Sequence, residues 1–149
     1  YLVPALSALL NILDNADQGI PDYIVEKTLR IKEQHRESVI MFHQAGGKIA
    51  MGTDAGTPFN LHGKNQQELE YMVELGIPEK DALISANADA ANLLGMPDRG
   101  RIEEGACADL LIVEGNPLED ISKVTDPANH RMILKNGTPV SSTLNTEKA

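Results

Sequence analysis

Tryptophan is absent from this 149-residue chain and aromatics make up only 3% of it, which leaves little on which nucleic-acid bases can stack. Cationic runs are lacking too. Thirteen Lys and Arg stand against 22 Asp and Glu, giving a net charge of -9, so there is no basic footprint for DNA, RNA or anionic lipid. The acidity reads as a solubility feature rather than a partner code. With Cys107 as the only cysteine, no intrachain disulfide is possible, and a reducing compartment is the natural fit. No segment approaches the roughly 18 apolar residues of a membrane span. The apolar opening YLVPALSALLNIL has no basic leader or clear cleavage site and is broken by Pro4, so it does not read as a signal peptide. A cytoplasmic setting is expected, with export of a longer parent left open.

What is present suits a packed domain, since 42% of residues are hydrophobic. The chain opens at Tyr1 directly on an apolar, strand-like run, and the expectation is the C-terminal part of a longer polypeptide. YLVPAL reads as a short buried strand with Pro4 near its end. Pro21 suits the first turn of a helix, with Asp22 and Glu26 near its positive end. Ile24, Ile31, Val39 and Phe42 then form one stripe, with Thr28 and His35 between them, until Gly46 and Gly47 stop the helix. KIAMG follows as a second strand, completing a βαβ unit whose strands should be parallel.

Leu69, Met72, Val73 and Leu75 mark a further helix stopped by Gly76. Pro78 opens another, and NADAANLLG is helical up to Gly95. Beyond it the texture turns β-like. GRIEEGACADLLIVEG holds two extended pieces around Glu104 and Gly105, NPLEDI is a polar loop, and MILKNGTPV is a hairpin turning at Asn136 and Gly137. The expected organisation is α/β over 1–97, β-rich over 98–140 and a polar tail over 141–149.

The stretch GGKIAMGTDAGTP sets one carboxylate, Asp54, where a strand breaks into a loop of small residues. Function in parallel α/β architectures gathers at the C-terminal ends of strands. Small neighbours leave Asp54 uncrowded, so it can ligate a hard or borderline metal and accept a proton from water. The competing reading is a carboxylate that only caps its own turn. His62 in the following loop is a candidate substrate contact or plain surface polarity. Thr57 can donate a hydrogen bond to substrate or stabilise the turn. His35 reads as a satisfied core histidine, and His43 and His130 lack partners at ligand spacing. Cys107 reads as a small filler. Glu103 and Glu104 are adjacent, which makes them a poor acid/base pair. HxH, HExxH, CxxC, GxSxG and a phosphate-binding Gly loop are all missing. One carboxylate does not hold a catalytic metal, so residue spacing alone indicates part of a site.

KIAMGTDAGTPFNLHG, ISANADAANLLGM, GRIEEGACADLLIVEGNPLEDI and ILKNGTPV together resemble the C-terminal portion of the amidohydrolase superfamily, in its imidazolonepropionase-like and Xaa-Pro dipeptidase-like branch. The likeness covers nearly the whole chain. The pattern G-x-I-x-x-G-x-x-A-D-L, then N-P-L, then the N-G hairpin, is specific in combination though weak in each part. It implies the end of a metal-dependent (β/α)8 TIM barrel over 1–97, and over 98–140 part of a small β-sandwich built from both chain ends. One or two divalent ions, usually zinc, would be held mostly by ligands outside this chain. YLVPAL would be the seventh barrel strand and KIAMGTD the eighth. Asp54 would ligate metal, deprotonate the attacking water and pass the proton to the leaving nitrogen. His62 would lie near substrate, and Ala5 stands where relatives often have Thr. The implied activity is hydrolysis of a C–N bond in a dipeptide or N-acyl amino acid. The alternatives are a cyclic-amide hydrolase, a deaminase, or a non-catalytic remnant. A small-molecule substrate and a homo-oligomeric parent are implied, with no nucleic-acid or membrane partner. The first strand's HxH pair, the bridging lysine and the later metal histidines have no counterpart here, so the isolated chain is expected to be inactive or to need a complementing fragment.

Overall fold

The computed structural model describes residues 1–142, and the hepta-residue remainder of the expected polar tail lies outside them. Its longest element grows from the Pro21 signal: helix α2 runs over Asp22–Gln44. Gly46 takes a φ of 77°, its N–H bonds the His43 carbonyl at 2.9 Å, and the Gly47 N–H bonds the Phe42 carbonyl at 2.9 Å. This paired closure satisfies two orphan carbonyls at the helix end. A side chain at Gly47 would run into the Phe42 ring, so the second glycine is required by space rather than by φ. The expected stripe is only partly buried: Thr28 and Val39 are inside, while Ile31 and Phe42 are exposed.

Before it lies helix α1, Leu6–Asp14. The strand expected over YLVPAL is shorter than the pattern suggested. Leu2 alone pairs with Ile49, in parallel, through the Leu2 N–H to the Lys48 carbonyl and the Ala50 N–H to the Leu2 carbonyl, both 2.9 Å. Ala5 then enters the left-handed region at φ 47° and ψ 47°, which ends the extended run and starts α1. KIAMG is likewise reduced to this one bridge. The parallel relation expected on either side of a helical crossover is present.

Helices α3 (Gln67–Glu74), α4 (Glu79–Ile84) and α5 (Ala90–Leu93) follow, with a π-helical turn over Ser85–Asp89 between the last two. Gly76 and Gly95, at φ 87° and 69°, stop α3 and α5 as their positions in the sequence indicate. Leu6, Val39, Ile49, Leu69, Met72, Leu75, Ile77 and Ala82 form the core. Burying each of the larger side chains contributes about 1.5–3 kcal/mol.

Strands β1 (Leu110–Val113), β2 (His130–Lys135) and β3 (Thr138–Ser142) make an antiparallel sheet in the order β1-β2-β3. Leu111 faces Ile133, and Leu110 faces Leu134. The extended piece expected over GRIEE is instead irregular, with Ile102 91% exposed. The A-D-L motif has a structural task. Asp109 accepts from Lys135 Nζ at 2.7 Å, Arg99 Nη1 at 2.8 Å and the Asn136 N–H at 2.9 Å, fastening β1 to the Asn136–Gly137 turn. Asn136 and Gly137 both take positive φ, as a two-residue hairpin demands. Helix α6 (Ser122–Thr125) packs on α3, bringing Ile121 into the core and a Thr125 hydroxyl to Glu70.

Candidate active site

The loop after Ile49 is folded on itself by one buried amide. Asn60 is 4% exposed, and its Nδ2 donates to the Thr53 carbonyl. The main-chain carbonyl of Asn60 accepts from the Gly56 N–H at 2.8 Å, and its main-chain N–H donates to the Thr57 carbonyl at 3.0 Å. Thr57 Oγ1 donates to the Asp54 carbonyl at 3.1 Å. These bonds secure the backbone on both sides of Asp54, which sits at φ 52°, a conformation that Asp tolerates better than most residues. Gly52 is needed just ahead of it, because a side chain there would meet Val3. The Asp54 side chain is exposed and accepts no hydrogen bond from a described residue.

His62 is exposed and lies over the same loop, with Nε2 3.4 Å from where a Cβ on Gly56 would stand. Asp54 and His62 are thus brought to one loop, and Thr57 closes the turn between them. Phe59 and Leu61, both exposed, edge a cleft of about 370 Å³ between this loop and α1, and Asp54 does not line it.

The residue that pattern reading missed is Glu68, in the first turn of α3 and 0% exposed. Its Oε1 accepts from the Leu6 N–H at 2.7 Å, and its Oε2 accepts from the Ser7 N–H at 2.7 Å and from Ser7 Oγ at 2.5 Å. It therefore caps α1 from 62 residues away. Burial pushes its carboxyl above the ordinary value of 4.5; the Ser7 and Leu6 donors pull the other way, and the Asp54 charge adds to the rise. The signal was in the sequence: Glu68, Met72 and Leu75 fall at i, i+4 and i+7, which puts an acid on an apolar stripe.

The other histidines stand apart. His35 is half-buried, and its Nδ1 has no partner among the described residues, so the satisfied core histidine expected there is not found. His43 Nε2 is 3.0 Å from Asp81 Oδ2, linking the end of α2 to α4. His130 Nε2 meets the Val124 carbonyl at 2.9 Å. Cys107 Sγ donates to Asn136 Oδ1 at 2.7 Å. Among the described residues, no three His, Cys, Asp or Glu side chains converge as a metal site. Asp54 suits a divalent ion as one exposed, unengaged oxygen ligand, not as a complete set.

Comparison with known proteins gives the same frame. The chain is 35% identical over 138 residues to the ochratoxinase of Aspergillus niger, matching 91% of this chain and 28% of that protein. It is 30% identical over 97 residues to the imidazolonepropionase of Deinococcus deserti, 64% of this chain and 24% of that one. The crystal structure of a Xaa-Pro dipeptidase with methionine bound in its active site superposes with a TM-score of 0.82 at 36% identity, over 94% of this chain and 34% of that one. The chain therefore spans about a third or less of the length of these relatives. A model of the amidohydrolase family matches residues 1–140, almost every residue that carries the loop, the helices and the sheet described above, and the chain belongs to that family.

Proposed function

We propose that this chain supplies the last strands of a metal-dependent (β/α)8 barrel that hydrolyses an amide-type C–N bond in a dipeptide or N-acyl amino acid. The observation that carries this reading is Asp54: a carboxylate that accepts no hydrogen bond from the described residues, on a hydrogen-bonded loop at the C-terminal end of a parallel strand contact. The family relationship and the dipeptidase among its structural relatives support the substrate class. The sheet β1–β3 would be this chain's share of a small composite sandwich.

A divalent ion, zinc by preference, would take Asp54 as a ligand together with residues outside this chain; when bound it supplies Lewis acidity toward the substrate carbonyl and lowers the pKa of water. The carboxylate of Asp54 takes one proton from the attacking water as the C–O bond forms, then delivers it to the nitrogen as the C–N bond breaks. Exposure lets that oxygen reach both partners in turn. His62, over the same loop, would orient substrate, and Thr57 would hold the backbone of Asp54 in place.

The test is Asp54→Asn in the metal-loaded enzyme, assayed against a panel of dipeptides, N-acyl amino acids, cyclic amides and aminopurines. Loss of a positioned proton carrier should lower kcat by roughly 10²–10⁴-fold. Turnover within a few-fold of wild type would reject the role given to Asp54. Preferred deamination of aminopurines would move the substrate class and leave that role intact.

A further inference from the structure

We propose that Glu68 is a positioning residue for Asp54, tying the turn that opens α1 to the loop that carries the proposed proton carrier; this rests on the catalytic reading of Asp54 given above. A helix start can be capped by a neighbouring Ser or Asp at little cost. Here the residue before α1 is Ala5, which offers no side-chain cap, and the donors are met by a carboxylate from another helix. Burying a carboxylate costs several kcal/mol unless it is fully hydrogen-bonded. A long-range acid is thus a poor choice for capping alone. It does something that a local cap cannot, which is to fix one element against another.

The elements it fixes are the two segments that leave the paired residues Leu2 and Ile49. The first turns at Ala5 into α1, whose first two N–H groups end on Glu68. The second passes through Asp54 and returns to α3, where Glu68 stands. Both ends of the Asp54 loop are therefore pinned, one at the Leu2–Ile49 bridge and the other at Glu68. A second contact closes the circuit. Asn11, on α1, points Nδ2 at Asn60 Oδ1 at 3.5 Å, and Asn60 is the amide that folds the loop around Asp54. Displacing the start of α1 would move Asn11, release Asn60 and free the backbone of Asp54.

The experiment uses ¹⁵N-labelled protein and residue-resolved amide exchange. Glu68→Gln keeps the shape but replaces one acceptor with a donor. It should accelerate exchange at Leu6 and Ser7, and also at Gly56 and Asn60, by about tenfold or more, and shift the amide resonance of Asp54, while the hairpin amides at Leu134 and Gly137 hold their rates. Acceleration at Leu6 and Ser7 with Gly56 and Asn60 unchanged would overturn the proposal and reduce Glu68 to a cap. Should Glu68→Gln not fold, Asn11→Ala decides: it leaves the Glu68 bonds in place and should loosen Gly56 and Asn60 alone, and unchanged rates there overturn the proposal. In the turning-over enzyme, Glu68→Gln should lower kcat about tenfold with KM within about threefold, and a raised KM at constant kcat would count against positioning. The two readings fail separately. An active Asp54→Asn enzyme removes the catalytic role and leaves the exchange coupling standing; a rigid Asp54 loop in Glu68→Gln does the reverse.

Discussion

Glu68 and Asp109 are both carboxylates held by three donors, yet their surroundings move their proton affinities in opposite directions. Burial dominates at Glu68 and lifts its carboxyl above 4.5. The folded state then holds that proton more tightly than the unfolded chain, so the contribution is full below the ordinary value and is lost as pH rises through the lifted one. At Asp109 the Lys135 ammonium, followed by the Asn136 N–H, lowers the carboxyl to about 2 from 3.8. Its contribution is present above 3.8 and lost as pH falls toward 2. Urea midpoints measured across pH should separate the two. Asp109→Asn should flatten the acid limb between those two values, and Glu68→Gln should remove a decline that starts above 4.5. An acid limb unchanged in Asp109→Asn would show that the A-D-L motif is not the clasp for the hairpin.

At the scale of elements, what was legible is what chemistry announces locally. The bounds of α2 follow from Pro21 and the Gly46–Gly47 pair because caps depend on adjacent residues, and the β2–β3 hairpin follows from Asn136–Gly137 for the same reason. Extended segments depend on partners, and there the pattern misled. YLVPAL has strand composition, but only Leu2 finds a partner, and the chain is committed to a helix one residue after Pro4. No composition rule places Ala in the left-handed region at Ala5, where a Cβ costs about 1–2 kcal/mol. The bonds from Leu6 and Ser7 to Glu68 offset that cost. Ala5→Gly should therefore raise stability by up to about 1 kcal/mol, and Ala5→Val, with a branched Cβ at positive φ, should lower it by about 2 kcal/mol. Thermal and urea unfolding of the two variants checks the sign. A stabilised Ala5→Val protein would mean that the turn takes another conformation in solution.

For the whole molecule, the candidate site divides in the same way. Asp54 could be picked out because a lone acid among small residues after a strand is a local signature, and His62 because it shares that loop. For Glu68 the apolar stripe signals burial, but its contact with residues 61 and 62 positions earlier is displayed by no window of sequence. The metal ligands are a different matter. A catalytic zinc ordinarily takes three protein ligands, and the described residues bring no three candidates together, so the proposed function needs Asp54 to be joined by ligands from elsewhere in a longer polypeptide. The 149-residue chain by itself should then show no saturable zinc uptake at micromolar concentration in equilibrium dialysis and no hydrolysis of dipeptides or N-acyl amino acids. Supplying the missing ligands on a complementing fragment should restore both, and Asp54→Asn in this chain should abolish the restored turnover while leaving association with the fragment intact. Robust hydrolysis by the chain alone, surviving Asp54→Asn, would require a different set of reacting groups within these residues.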